Sequence, residues 1–171
     1  MADGPWLFEH PIVRIDTVAV DTPAGPREHA RLHMPDWVNI LAVTADREVV
    51  LVRQPRSGVG VVTLEIPGGC VDPGEAPEAA ALRELHEETG YTGPIEPLGW
   101  VWSNPAIQTN RTWMYLVRPA HDTGVREPDA EEDISVERFP VDALVTLLDT
   151  GAIDHALAVV TLERALRRGL L

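Results

Sequence analysis

Along most of this chain the apolar positions come in short runs, partly alternating with polar ones, and a clear helical period appears only in places. Residues 12–20, Ile-Val-Arg-Ile-Asp-Thr-Val-Ala-Val, partly alternate and read as a strand. A Pro- and Gly-containing turn at 21–26 follows, and Arg27–His33 reads as the returning strand of a hairpin. Val38–Val43 and Glu48–Arg53 are two further strands, separated by Thr44–Arg47. Val61–Ile66 is another, stopping at Pro67-Gly68-Gly69. The segment Pro77–Thr89 then reads as a helix. Pro77 suits its first turn and Gly90 its stop. Leu82 and Leu85 fall on the face turned away from Glu84 and Glu88, so they are expected to pack on the sheet. Strands follow near Glu96–Trp102, Arg111–Arg118 and Ser135–Phe139, and Pro140–Thr150 and Asp154–Arg168 read as two closing helices. This order predicts an α/β fold, a mixed sheet sandwiched by helices.

Composition narrows the function classes. With 171 residues, 44% of them hydrophobic, the chain can bury one sizeable core. No apolar run approaches the roughly 20 residues that span a membrane. The N-terminus, Met-Ala-Asp-Gly-Pro-Trp, lacks the pattern of a signal peptide. Cys70 is the only cysteine, which excludes an intrachain disulfide and fits a cytoplasmic location. The formal charge of −13 disfavours nucleic acid and anionic membranes as partners. A small molecule is the expected partner. All 14 basic residues are arginine, so Schiff-base chemistry on lysine is excluded.

The candidate chemistry lies in and behind the helix at 77–89. Glu84 and Glu88 are four residues apart and Glu87 is three from Glu84, so all three lie close together on the helix surface. Like charges so close repel unless something positive sits among them. A hard divalent cation such as Mg²⁺ or Mn²⁺, which prefers oxygen ligands, answers that need. Glu84 and Glu88 are the principal candidates, and Glu87 is either a third ligand or a partner reached through water. The glycine pair Gly68-Gly69 marks a tight turn or a close backbone approach. His86 reads as a surface or packing residue. Cys70 has no evident base partner and is not expected to be a nucleophile.

The stretch Gly69-Cys-Val-Asp-Pro-Gly-Glu75, seven residues, then Arg83-Glu-Leu-His-Glu-Glu-Thr-Gly-Tyr91 resembles the Nudix box, the signature of the Nudix hydrolases. Gly69, Glu75, Arg83, Glu84, Leu85, Glu87, Glu88, Gly90 and Tyr91 fill its fixed positions. The resemblance implies a Nudix-type α/β/α sandwich with an N-terminal β-hairpin extension. It implies that Glu75 and Arg83 brace the loop against the helix, and that the carbonyl of Gly68 joins the metal ligands. The flanks Leu51-Val-Arg-Gln-Pro-Arg56 and Leu64-Glu-Ile-Pro-Gly-Gly69 resemble the branch that includes ADP-ribose and nucleoside diphosphate sugar pyrophosphatases. In that branch an arginine at the position of Arg56 contacts the substrate phosphates, and Arg53 is a second candidate. Glu65, alternating out of an apolar strand, is a candidate to bond a base or ribose.

Where ADP-ribose pyrophosphatases commonly carry a Ser-Pro-Gly-like segment, this chain has Ser103-Asn104-Pro105-Ala106. That form is similar to hydrolases acting on other nucleoside diphosphate sugars. Asn104 and Asn110 are candidates to read sugar hydroxyls or a base edge. Arg111 is a candidate to pair with a phosphate, and Trp6, Trp100 or Trp102 to stack on a base. In related pyrophosphatases a glutamate in the loop before the last strand serves as general base. Here that points first to Glu132 and second to Glu131, with the box glutamates, Glu87 among them, as alternatives. The resemblance also implies a homodimer, with residues 1–36 as the dimer-forming β extension and 37–171 as the hydrolase domain. The expected reaction is metal-dependent cleavage of a nucleoside diphosphate linked to a sugar. Its rivals are a catalytically silent nucleotide-binding module and an isoprenoid-diphosphate isomerase.

Overall fold

In the computed structural model the described residues are 6–126 and 133–171. Three strands form a sheet of their own at the N-terminal end: β1 (Phe8–His10), β2 (Val13–Thr22) and β3 (Gly25–His33). The hairpin expected from the turn at 21–26 is there, in register from Arg14↔His33 to Thr22↔Gly25. The sequence pattern did not mark β1, whose three residues are all exposed.

The main sheet is built from β4 (Trp37–Thr44), β5 (Glu48–Arg56), β6 (Val61–Glu65), β7 (Gly68–Cys70), β8 (Tyr91–Thr92), β9 (Ile95–Trp102), β10 (Arg111–Asp122) and β11 (Ser135–Pro140). Its order is β11-β5-β4-β10-β8, with β6 along β5, β7 along β4 and β9 along β10. β4 and β10 run parallel and every other pair antiparallel, so the sheet is mixed. A parallel pair needs a crossover, and α1 (Pro77–Thr89) lies within it. β4 is the centre and is covered on both faces, which explains why its run is apolar apart from buried Asn39 and the terminal Thr44.

Val38, Ile40, Ala42, Tyr115 and Val117 pack under Ala80, Ala81 and Leu85 of α1. On the other face Leu41, Val43, Leu51, Met114 and Leu116 pack with Leu144 of α2 (Leu144–Asp149) and Leu162 and Ala165 of α3 (Ala156–Arg167). The sandwich expected from element order is therefore the observed architecture. The first closing helix is shorter than expected, because Val141–Ala143 forms a 3₁₀ turn.

The N-terminal sheet has a charged centre. Asp16 is fully buried and takes Arg31 in a two-point contact, Nε at 3.0 Å and Nη2 at 2.5 Å. His33 Nε2 lies 3.1 Å from the same carboxylate, and Trp6 meets the His33 ring edge-on at 4.9 Å. Backbone bonds from Leu32 to Ile107 (2.8 Å) and from Thr109 to Leu32 (3.1 Å) tie β3 to the loop before β10.

The hydrogen bond from Arg31 holds Asp16 down at about 2 against the opposing effect of burial. A carboxylate depressed in the folded state stabilises the fold above its unfolded value of about 4, and that contribution fades as pH falls toward the folded value. Asp16→Asn should therefore lower the melting temperature at neutral pH, and the gap to wild type should close between pH of about 4 and 2. Thermal melts across that range check it. An equal gap at both ends would refute the assignment.

Candidate active site

The glycine pair sets the geometry. β7 pairs with Trp37–Asn39 of β4, and a Cβ on Gly68 would strike the carbonyl of Val38. A Cβ on Gly69 would instead run into the carboxylate of Glu84. Only glycine lets strand, loop and helix approach so closely. Ile40 N–H to Pro67 O (2.9 Å) and Val71 N–H to Asp36 O (2.8 Å) hold the loop to β4. α1 begins at Pro77 and ends on Gly90, whose φ of 77° is the left-handed cap; its N–H bonds His86 O at 2.7 Å.

Three glutamates leave this helix with different surroundings. Glu87 is 38% exposed, Glu84 14% and Glu88 only 2%. The expectation that Glu88 lies opposite the packed side of the helix needs correcting. Glu88 is three residues from Leu85 and shares its buried side, where Oε2 accepts a 3.0 Å bond from the N–H of Gly68. Leu85 is fully buried as expected, whereas Leu82 is only half-buried.

Arg83 gathers the cluster. Its Nε and Nη2 make a two-point contact with Glu75 at 3.0 and 2.9 Å. Nη1 reaches Glu84 at 2.9 Å and Glu87 at 3.0 Å, and Nη2 also donates to Cys70 O at 3.1 Å. The bracing of loop against helix is thus seen directly. The Glu75 contact raises the Arg83 pKa further, and the same bond pulls the Glu75 carboxyl below its usual range. Burial, with Glu84 nearby, pushes the Cys70 thiol up, which keeps it protonated and un-nucleophilic.

The donor set of Glu84, Glu87, Glu88 and the Gly68 carbonyl is all oxygen, as a hard divalent cation requires. Two of its carboxylates already converge on one positive group, Arg83 Nη1. Among the described residues, however, no three acidic, His or Cys side chains yet enclose a single point. The residues fit such an ion by chemistry and by the side of the helix they share.

The substrate candidates divide. Arg56 makes a two-point contact with buried Glu65, both bonds 2.8 Å, and lies 5.8 Å from the ring centre of Trp37. Thr63 bonds the same carboxylate. These hydrogen bonds outweigh burial, the largest single effect, and leave the Glu65 carboxyl below its usual range. Arg53 pairs instead with Glu137 on the exposed side of β11. Asn110 is buried, while Asn104 is exposed in the turn at 104–107.

Arg111 sits among three indoles, 4.8 Å from Trp100, 5.2 Å from Trp102 and 5.8 Å from Trp113. Its neighbour Asn110 belongs to the opposite side of the chain, as successive residues of an extended segment do. Glu131 and Glu132 lie outside the described residues. His155, which the sequence gave no reason to single out, lines a cavity with Arg56 and Asn110. It sits just before α3, where it reads only as a helix start.

Comparison with known proteins places these features in context. A family model described as NUDIX domain matches residues 34–160. The chain is 38% identical to the ADP-sugar pyrophosphatase of Mus musculus over 148 residues, 82% of this chain and 66% of that protein. The chain thus spans slightly less than two thirds of that relative. It is 28% identical to the ADP-ribose pyrophosphatase of Bacillus subtilis over 156 residues, covering 88% of this chain and 83% of that one. Among solved structures, an ADP compounds hydrolase superposes with a TM-score of 0.83 at 22% identity, covering 97% of this chain and 90% of that one. That likeness speaks to the fold.

The two glycines should fail in different ways. Gly68→Ala pushes on backbone and should cost about 1–3 kcal/mol of stability, as overpacking does. Gly69→Ala meets a side-chain end, so the fold should survive while Glu84 is displaced and turnover falls. Melting curves beside activity measurements separate them. Equal destabilisation by both would contradict the close-approach argument.

Proposed function

Because this chain belongs to the Nudix family, we propose that it is a pyrophosphatase that cleaves the diphosphate bond of a nucleoside diphosphate linked to a sugar. ADP-ribose or a nucleotide sugar is the substrate, and a nucleoside monophosphate and a sugar phosphate are the products. The observation that carries this reading is the box itself. Arg83 holds Glu75, Glu84 and Glu87 in one cluster, with Glu88 fixed beside them on Gly68.

Glu84 and Glu88, with Glu87 and the Gly68 carbonyl, are the residues that would hold Mg²⁺ or Mn²⁺. Bound there, such an ion would supply the positive charge that offsets the diphosphate and eases attack on its phosphorus. Arg56, kept in place by Glu65, supports charge on the phosphate oxygens. Glu132, with Glu131 as second choice, takes the proton of the attacking water on its carboxylate. Glu65, Asn104, Asn110 and Arg111 remain the candidates for the rest of the substrate. Gly69, Glu75, Arg83 and Gly90 serve by holding the loop and helix. The names of the mouse and B. subtilis relatives support this substrate class.

We further propose that the chain works as a homodimer in the cytoplasm, with residues 1–36 as its own dimer-forming unit beside the hydrolase domain at 37–171. Exposed Phe8 and Val20 on the N-terminal sheet, with Ile12 in the turn between β1 and β2, support an interface there. Light scattering at micromolar concentration should give twice the 18.8 kDa mass of the chain. A monomer with full activity would rule the shared arrangement out.

A panel of ADP-ribose, nucleotide sugars and nucleoside triphosphates with Mg²⁺ and Mn²⁺, products separated by chromatography, tests the reaction. Diphosphate-linked sugars should turn over faster than triphosphates. Glu84→Gln and Glu88→Gln should each lower kcat by at least ~10²-fold, the loss of one transition-state stabiliser. Glu132→Gln should lower kcat without weakening metal binding. Wild-type turnover in either box variant would sink the assignment.

A further inference from the structure

A cavity of about 200 Å³ opens between the start of α3 and the end of the loop before β10. Trp37, Arg56, Ser103, Gln108, Asn110 and His155 supply its polar and aromatic lining. Two of these residues have polar atoms that are buried and without a hydrogen-bond partner. One is Oδ1 of Asn110, a residue only 7% exposed. The other is Nδ1 of His155.

The surroundings of His155 define which of its ring nitrogens is left for a ligand. Nδ1 lies 3.4 Å from Oε2 of Glu65, close enough for an ion pair but not aligned as a hydrogen bond. A bare lone pair so near a carboxylate would be repelled. Nδ1 therefore carries a proton toward Glu65, and Nε2 is the ring nitrogen left to meet a ligand. Arg56 on the far side of Glu65, and Asp154 next in the chain, are the other charged groups here among the described residues.

The lining thus offers one buried acceptor without a partner, Asn110 Oδ1, together with the imidazole of His155. A buried acceptor requires a donor from whatever fills the space. Phosphate oxygens bring none at neutral pH. A nucleobase prefers an aromatic face, but the indole present, Trp37, has Arg56 over its ring. The cavity is too small for a whole nucleoside diphosphate and large enough for one ring. The hydroxyls of a sugar ring suit both groups, because a hydroxyl donates to Oδ1 and can donate to or accept from an imidazole nitrogen.

We propose that this cavity is the subsite for the sugar half of the substrate, and that Asn110 and His155 determine specificity by hydrogen bonding its hydroxyls. The inference deepens the pyrophosphatase reading and rests on it for the identity of the ligand. Arg56, shared between this cavity and its contact with Glu65, would stand at the sugar-side phosphate.

Equilibrium binding tests it without turnover. The probes are ribose 5-phosphate, glucose 1-phosphate and AMP, titrated calorimetrically into the full chain. His155→Leu should weaken the tighter-binding sugar phosphate about tenfold, the effect of one hydrogen bond. AMP should stay within about twofold, well under one hydrogen bond. His155→Gln, which restores a group able to donate or accept, should recover much of the loss. Asn110→Ala should act in the same direction, with a melting curve to confirm folding; His155 is partly exposed, so its variants carry the test if Asn110→Ala does not fold.

Equal loss of AMP and sugar phosphate would overturn the proposal by placing the nucleoside here. Unchanged binding of all three in the variants would overturn it as well, leaving the cavity to water. Wild-type chain that binds no probe would also overturn it. A chain that bound selectively as expected but hydrolysed no nucleoside diphosphate compound would uphold the subsite and sink the pyrophosphatase reading.

Discussion

One guanidinium sits among carboxylates that would otherwise drive the site apart. Two like charges 4 Å apart repel by about 4 kcal/mol at the effective dielectric of a protein surface. Glu75, Glu84 and Glu87 all lie within 3.0 Å of Arg83 nitrogens, and Asp72 is 4.0 Å away. The division of these contacts matters. Glu75 takes two nitrogens in a planar, directional contact, whereas Glu84 and Glu87 share the single atom Nη1. The loop is therefore tied to the helix through Glu75 and the Cys70 carbonyl, independently of the pair on the helix. An ion drawing Glu84 and Glu87 toward itself would leave that tie intact.

The same loop is anchored from below by Asp36. Its carboxylate takes the N–H of Arg111 at 2.8 Å and the indole N–H of Trp113 at 2.9 Å, while its carbonyl takes Val71 at 2.8 Å. One residue so joins the entry to β4, the start of β10 and the box loop. With Gly68 and Gly69 pressed against β4 and Glu84, the loop has little room to shift without disturbing the sheet. A catalytic group held by several independent contacts is better pre-organised than one held by a single bond.

Much of this was legible in the sequence, and what was not has identifiable causes. The helix at 77–89 carries its period, its proline and its glycine stop, so its bounds could be read. β4 and β5 announce themselves by apolar runs. β7 could not be read, because three residues, two of them glycine, carry no side-chain pattern. The burial of Glu88 was hidden for another reason: the pattern assigns carboxylates to the solvent face, while a backbone N–H at Gly68 compensates this one. Arg111 among its tryptophans depends on the register of β9 against β10, Trp102 opposite Arg111 and Trp100 opposite Trp113, which is a tertiary fact. His155 gave no signal at all, since its partner Glu65 is far away in the chain.

The engagement of the arginines bears on how so acidic a chain would accept the anionic substrate proposed for it. Arg83 is held by glutamates, Arg56 by Glu65 and Arg111 by the faces of indoles. Each guanidinium is oriented, and the carboxylate-bound pair carry their own counter-charge. Against a formal charge of −13 they cannot alone create the positive field a diphosphate needs. Their geometry suits a different task, that of fixing direction. Arg56, bonded to Glu65 through Nε and Nη2, has its guanidinium plane set before a substrate arrives. On the proposed reading the attraction would come from a cation held by the box carboxylates, with the arginines supplying orientation. That division of labour would account for three glutamates gathered on the helix at the point where the proposed anionic substrate would otherwise be repelled.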